Sequence, residues 1–303
     1  MSATASDADR DGLVAASLDV LETAIRGFYE YERRVGEGPY DRSALSDFER
    51  ETKRTFGPNG RWSDDFGERL TNRAAVYLAG SRNYLASIYY LVKNYPHSPG
   101  VAPLARCVAE ACGKMAWLLD NRLGTKSHAR ERVARLLLDE ADDASRRKSL
   151  AVGLRHPERA VAGDEYRKAR DAVATPGYFW AGEIDLDRSG VPTVRGQRLP
   201  KTSDFVVIAE KILSQDSRDA RHVYGYLSAL THPTMFAYLE SMAAQDVVFC
   251  AKVVNYAVLA FHNEMRLHSG WTQPDPSYLP EGDPIREKHD ALNVLIGSHT
   301  VAG

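Results

Sequence analysis

Five positions between residues 218 and 234 have types and spacing that suit chemistry. At about 100° per residue, a helix through this segment places them within an arc of about 80°. They are Arg218, Arg221, Gly225, Ser228 and His232. Guanidinium groups bind phosphate, and an imidazole exchanges protons near neutral pH. This face therefore has the groups for acid–base chemistry on a phosphate-bearing substrate.

The predicted end of this helix bears on His232. Pro233 disfavours helical geometry at the residue before it, so the helix ends at His232, where its dipole favours the protonated imidazole. Ser228 lies four residues earlier, within hydrogen-bond reach. Gly225 lowers helix stability by about 1 kcal/mol relative to alanine, and a glycine there suits close approach by another helix or a ligand. The same pattern is also typical of a solvent-exposed helix face that ends at a histidine.

Glu110 lies on a different predicted helix. Arg106 and Lys114 flank it at a spacing of four residues, which is typical of a salt-bridged surface triad. The small residues of that helix favour burial on several sides instead; they are Ala105, Ala109, Gly113 and Ala116. A buried Glu110 needs a partner, for which we name His232 or an arginine. The predicted catalytic residues are His232, Arg221 and Ser228, and the predicted binding residues are Arg218, Gly225 and Glu110.

Apolar residues recur at three- and four-residue steps along most of the chain, which indicates helices. In the segment described above, the predicted buried stripe is Val223, Tyr226, Leu227 and Leu230. The other predicted helices run from Leu70 to Tyr95, from Pro103 to before Gly124, through Arg130–Leu138 with Ser127 as the N-cap, and over Glu158–Val173, Thr202–Ser214, Met235–His268 and Arg286–Ile296.

One turn-rich stretch, Thr175–Pro200, interrupts the helical pattern because it holds seven glycines and prolines. Within it, Glu183–Asp187 and Val191–Arg195 are candidates for a small β-hairpin. No larger strand series occurs, so the predicted fold class is an all-α helical bundle with this insertion. We predict a helical N-terminal extension over residues 1–68, a main bundle over 69–270 with the insertion at 175–200, and a C-terminal tail with a short helix over 271–303.

The charge balance limits the classes of partner. The 303 residues include 39 Lys and Arg against 41 Asp and Glu, a formal net charge of -2. This balance argues against a protein whose whole surface binds nucleic acid, although it permits a local basic patch. The basic cluster Arg146–Lys148 follows four acidic residues, which indicates a charge-balanced exposed helix; they are Asp139, Glu140, Asp142 and Asp143.

The apolar runs and the cysteines bear on location. The longest apolar run, Val247–Phe261, contains Lys252 and Asn255 and is shorter than the roughly 20 residues that span a bilayer. We therefore predict a core helix and no membrane partner. Three cysteines in apolar surroundings favour reduced thiols and a cytoplasmic protein; they are Cys107, Cys112 and Cys250.

Motifs for metals and cofactors are missing from the sequence. No Glu-x-x-His pair occurs, and the weaker candidates are His128 with Glu131 and Glu264 with His268. There is no P-loop, no Gly-x-Gly-x-x-Gly and no Gly-x-Ser-x-Gly. We therefore predict no metal and no cofactor.

Three blocks of the sequence resemble a known superfamily. Tyr224–Thr234 is similar to the YxxLSxxxH helix of actinobacterial all-α proteins related to the HEPN superfamily, and Ser81–Leu85 and Leu104–Asp120 resemble other recurring blocks of those proteins. The resemblance implies helical hairpins that usually form dimers, and in many members metal-independent RNA cleavage by an arginine and a histidine at the dimer interface. The superfamily signature places that arginine five to seven residues before the histidine, where this chain has Gly225, Tyr226 and Leu227.

Three functional hypotheses follow from these observations. The first is a HEPN-like homodimer that acts on or binds RNA or a nucleotide, with phosphate held by Arg218 and Arg221 and proton transfer by His232. The second is a non-catalytic helical module that binds a protein partner or dimerises through the Gly225 face. The third is a small-molecule enzyme with a pocket in the bundle, beneath the 175–200 insertion.

Overall fold

A computed structural model describes most of the chain. The described residues are 7–35, 44–56, 66–96, 98–119, 128–173, 184–186, 192–194, 198–214, 227, 247–272 and 283–300.

Helices make up nearly all of the described structure. They are α1 (Asp7–Val35), α2 (Ala44–Phe56), α3 (Phe66–Asn94), α4 (Val101–Leu119), α5 (His128–Leu150), a 3₁₀ turn (Ala151–Gly153), α6 (His156–Val173), α7 (Thr202–Ser214), α8 (Val247–Thr272) and α9 (Pro284–Thr300). Two short strands, β1 (Ile184–Leu186) and β2 (Pro192–Val194), lie between α6 and α7. The predicted all-α fold class is confirmed.

Several predicted elements have the expected bounds. α7 spans Thr202–Ser214 as predicted, and α5 begins immediately after the predicted cap position 127. The two strands of the insertion pair in antiparallel fashion, with Ile184 opposite Val194, which confirms the predicted strand pair. The helix predicted to begin near residue 218 and to end at His232 lies outside the described residues except for Leu227, which is helical. Residues 235–246 of the predicted 235–268 helix also lie outside them.

The chain divides into two compact units. The first unit contains the described residues of 1–44, 71–117 and 202–303, and the second contains those of 45–70 and 118–201. The predicted boundaries at residues 68 and 270 stay predictions. Within the first unit, α1 packs against α8 and α9 although both are more than 200 residues away in sequence.

The core of the first unit centres on α1 and α8. The rings of Phe28 and Phe261 lie 6.0 Å apart between these helices. Gly27 allows α9 to approach α1, because a Cβ there would lie 3.2 Å from the Ile285 side chain. Most of α8 is buried, as predicted for a core helix, and its buried polar residues include Asn255, which donates to Asn293 Oδ1 at 2.6 Å. None of the described helices combines the length and the apolar character of a bilayer-spanning segment.

The second unit contains a helical hairpin and several buried charges. α5 and α6 pack against each other across the 3₁₀ turn. Arg69, at the start of α3, forms a bidentate ion pair with Glu140 of α5. Arg135 and Glu131 form a buried ion pair at 2.5 Å, and Arg132 donates to the carbonyl oxygen of Leu119 at 3.0 Å. The acidic residues before Arg146 thus do not all lie on an exposed face, since Asp139 is also buried.

Close approach of two backbones in the first unit depends on Gly113. A Cβ at this position of α4 would overlap the backbone carbonyl of Phe205 in α7. Trp117, one helical turn further along α4, makes an edge-to-face contact with the Phe205 ring at a centroid distance of 5.9 Å. The predicted burial of the small residues on α4 is confirmed, and its consequence is that α7 contacts the bare backbone of α4.

We expect Gly113→Ala to destabilise the protein by about 2–3 kcal/mol, because the added methyl group forces α4 and α7 apart. Gly80→Ala in α3 is the matched control, because a Cβ there meets nothing within 4 Å. In a helix interior this control should stabilise the protein by about 0.5–1 kcal/mol. Urea unfolding followed by circular dichroism measures both changes. Equal effects of the two substitutions would contradict the close approach.

Candidate functional site

The predicted site is only partly described. Arg218, Arg221, Gly225, Ser228 and His232 lie outside the described residues. Leu227, from the same segment, is helical and only 2% exposed, which confirms its predicted place in the buried stripe. Glu110 is the predicted site residue whose surroundings are described.

Glu110 forms an ion pair within its own helix. The Nε of Arg106 donates to Glu110 Oε1 at 2.8 Å, and the two side chains are 15% and 24% exposed. The partner of Glu110 is therefore an arginine, one of the two partners considered above. Lys114, the other predicted neighbour, places its Nζ 5.3 Å from the Tyr77 ring and 5.5 Å from the Phe205 ring.

Two further groups lie beside this ion pair. Cys107 of α4 and Tyr84 of α3 each affect the pKa of the other, and with Arg106 and Glu110 they form what we call the α4 cluster. Burial, and then the Glu110 carboxylate, raise the pKa of the Cys107 thiol. The adjacent thiol in turn raises the pKa of Tyr84. A protonated thiol is a weak nucleophile, so the chemistry of this cluster is hydrogen bonding and charge pairing.

Sequence reasoning missed a buried polar cluster around α8. Four side chains from three helices form it, and we call it the α8 cluster: Tyr31, Ser81, Glu264 and His268. The Ser81 hydroxyl donates to Glu264 Oε1 at 2.8 Å. The Tyr31 hydroxyl lies 2.6 Å from His268 Nδ1.

Burial is the main cause of the pKa shifts of Glu264 and His268. It raises the pKa of Glu264 well above its usual value, an effect that the Ser81 hydrogen bond only partly opposes. It lowers the pKa of His268 to about 4, although a hydrogen bond to the Thr71 backbone acts in the opposite direction. Burial therefore favours the neutral forms of both groups, a protonated carboxyl and an unprotonated imidazole.

The neutral state of these groups limits what they do. A neutral imidazole whose Nδ1 accepts a hydrogen bond from the Tyr31 hydroxyl carries its own proton on Nε2. The second carboxyl oxygen of Glu264, Oε2, has no hydrogen-bond partner among the described residues. The α8 cluster therefore connects α1, α3 and α8 through hydrogen bonds to side chains whose neutral forms burial favours.

One signal for the α8 cluster is present in the sequence. Glu264 and His268 are four residues apart in a largely apolar segment, a spacing that places both side chains on one face of a helix. Their spacing alone indicates only a weak metal candidate. Within the described part of the chain, no group of three His, Cys, Asp or Glu side chains has the arrangement of a metal site.

Comparisons with known proteins identify no relative of this chain. No protein-family model, no curated protein and no solved structure matches this chain. The resemblance to the HEPN superfamily therefore stays a prediction that rests on the sequence blocks quoted above.

We expect Glu264→Gln to become more stable relative to the wild type as the pH rises from 5 to 8. A raised folded-state pKa means that the native protein holds a proton that the unfolded chain releases above about pH 4.3. Wild-type stability is therefore lost as the pH rises, by at most about 1.4 kcal/mol per pH unit, until the folded-state pKa is reached. The glutamine side chain of the variant has no such proton, and the contribution of His268 cancels in the comparison.

Urea unfolding at pH 5, 6, 7 and 8 measures this difference. Glu32→Gln is the control for the loss of one carboxylate, since Glu32 is an exposed residue of α1. Parallel pH dependence of the two variants would contradict a buried, protonated Glu264.

Proposed function

We propose that this protein binds RNA or a nucleotide through the polar line of the 218–234 segment, as a HEPN-like helical protein. The observation that carries the proposal is the helical, buried state of Leu227. Since this residue points into the core, helical periodicity predicts that the polar line points away from it. Positions 218, 221, 225, 228 and 232 lie about 100–180° from Leu227 at about 100° per residue.

The residue types of this line define the proposed ligand. Arg218 and Arg221 provide two guanidinium groups one helical turn apart, a spacing that suits the oxygens of a phosphate. His232 gives or takes a proton, and Ser228 orients its imidazole. Because the whole chain has a formal charge of only -2, the attraction to a polyanion is local to this line.

The α4 cluster supports the proposal in a second way. Glu110 is held by Arg106 on the same helix, in the sequence block that resembles the superfamily. A half-buried ion pair with fixed geometry offers a preorganised polar surface, which is what a binding site needs. We assign Glu110 to binding because its burial and its pairing with Arg106 suit a positioning role.

The proposal includes assembly and location. We propose a homodimer that is formed through the Gly225 face, where the missing side chain lets a second helix approach. We also propose a cytoplasmic protein, since all three cysteines are free thiols. The chemistry proposed for His232 uses no metal and no cofactor.

We expect His232→Ala to lower RNA cleavage at least about 100-fold if the protein is a nuclease, because general acid–base catalysis contributes that much or more. The assay follows labelled single-stranded RNA with purified protein and EDTA. His156→Ala is the matched control, because His156 is an exposed histidine at the start of α6. An equal loss of RNA cleavage in both variants would contradict a catalytic role for His232.

If the wild type binds RNA without cleaving it, Arg221→Gln should weaken binding. It should also reduce the slope of log Kd against log salt concentration by about one. Fluorescence anisotropy at several salt concentrations measures this. Arg266→Gln is the control, since Arg266 is an exposed residue of α8. Absence of both cleavage and binding in the wild type would refute the proposed function.

A leucine at position 225 tests the proposed dimer. We expect Gly225→Leu to shift the mass measured by light scattering from that of a dimer towards 33.6 kDa, the mass of one chain. The side chain would keep the second helix at a distance. A wild-type protein with the mass of one chain would refute the dimer, and an unchanged dimer in the variant would place its interface elsewhere.

A further inference from the structure

The connection between α5 and α6 carries three exposed aliphatic side chains. Leu150 is 80% exposed, Val152 is 67% exposed and Leu154 is 51% exposed. They lie within five residues at the turn of the helical hairpin, and we call them the apolar crest. Single exposed apolar residues are common on protein surfaces, but a contiguous group marks an interaction site.

The local fold holds the crest outward. Ala151, between the first two crest residues, is buried and anchors the 3₁₀ turn to the second unit. The backbone N–H of Leu154 donates to the carbonyl oxygen of Ala151 at 3.0 Å, which closes the turn. The N–H of Arg155 donates to Glu158 Oε2 at 3.3 Å and so fixes the start of α6. The exposure of the crest is therefore built into an ordered turn.

Basic residues surround the crest on both sides. Residues 146–159 include five Lys and Arg residues and one acidic residue, Glu158, which gives this stretch a formal charge of +4 in a chain of -2. The basic residues are all exposed; they are Arg146, Arg147, Lys148, Arg155 and Arg159. Within the described part of the chain, Arg155 and Arg159 have no ion pair.

The acidic partners of the other basic residues lie further from the crest. Arg146 pairs with Asp142 at 2.8 Å, and Arg147 lies 3.4 Å from Glu165 and 3.6 Å from Asp143. At about 1.5 Å per residue, Asp142 and Asp143 are roughly 11–12 Å behind the end of α5, whereas Arg147 is about 5 Å behind it. The formal charge along α5 therefore becomes positive towards its C-terminal end, beside the crest.

We propose that this end of the α5–α6 hairpin docks on an anionic lipid bilayer surface, with the apolar crest inserted among the lipids and the basic residues at the headgroups. Aliphatic side chains flanked by lysine and arginine are the pattern of interfacial membrane binding. The cytoplasmic leaflet carries the anionic lipids that such a patch attracts.

Other occupants fit the same surface less well. Two copies of the hairpin end would bring two positively charged surfaces together, which opposes self-association through the crest. Single-stranded nucleic acid is bound by stacking on aromatic rings, and the crest residues have none. The expectation of no membrane partner rested on the lack of a spanning segment, and docking at the surface needs no such segment.

Sedimentation with vesicles tests the proposal on the full-length protein. We expect binding to phosphatidylcholine vesicles that contain 30% phosphatidylserine, weaker binding at 0.5 M salt and no binding to pure phosphatidylcholine. The variant L150S/V152S/L154S should bind at least 10-fold more weakly. The matched control is V76S/V294S/L295S, which removes three exposed apolar side chains in the first unit and should bind as the wild type does.

Two further experiments test separately the contribution of the basic residues and the entry of the crest into the bilayer. R155Q/R159Q should weaken binding at least 3-fold, whereas K252Q/R266Q, which changes two exposed basic residues of α8, should not. In V152W, brominated lipids should quench the added tryptophan fluorescence relative to the wild type. Circular dichroism and thermal melting confirm that each variant is folded.

Three outcomes would overturn the proposal. They are absence of binding to anionic vesicles, binding that is unchanged in folded L150S/V152S/L154S, and loss of RNA binding in place of lipid binding in that variant. The lipid assay is independent of the RNA assays on His232 and Arg221, so either proposal can fail alone.

Discussion

The first unit depends on the burial of neutral polar groups between helices that are far apart in sequence. Tyr31 of α1 bonds to His268 of α8, and Ser81 of α3 bonds to Glu264 one turn earlier on α8. Charged forms of these residues could not be buried there without a large desolvation penalty. Burial therefore selects the protonation state, and the neutral hydrogen bonds in turn fix the register of α1 and α3 against α8.

The second unit handles buried polarity differently. Its α5 helix buries charged side chains and compensates each with a partner, as in the ion pair of Glu131 with Arg135. Such pairs contribute little net stability, but removal of one partner would leave an isolated buried charge. At the far end of the same helix the polarity is reversed, with apolar side chains in solvent and basic residues beside them. One end of α5 therefore buries charged side chains, whereas the other end exposes an apolar one.

The α4 cluster shows how far residue spacing predicts a site. The interval of four residues between Arg106 and Glu110 was enough to predict their ion pair, because it depends only on helix geometry. Burial of Leu227 followed from the same periodicity. The contact between Cys107 and Tyr84 joins two helices and was not predictable, since a single sequence does not specify which helix faces pair.

Local periodicity in the sequence determined the helical fold class, the bounds of α7, the strand pair of the insertion and the small-residue face of α4. These features depend on interactions between residues that are close along the chain. Only the tertiary structure decided that α1 belongs with α8 and α9, that burial favours the neutral forms of Glu264 and His268, and that the α5–α6 turn exposes its apolar residues. Each of these depends on which distant surfaces exclude water from one another, and burial of that kind is a property of the packed chain.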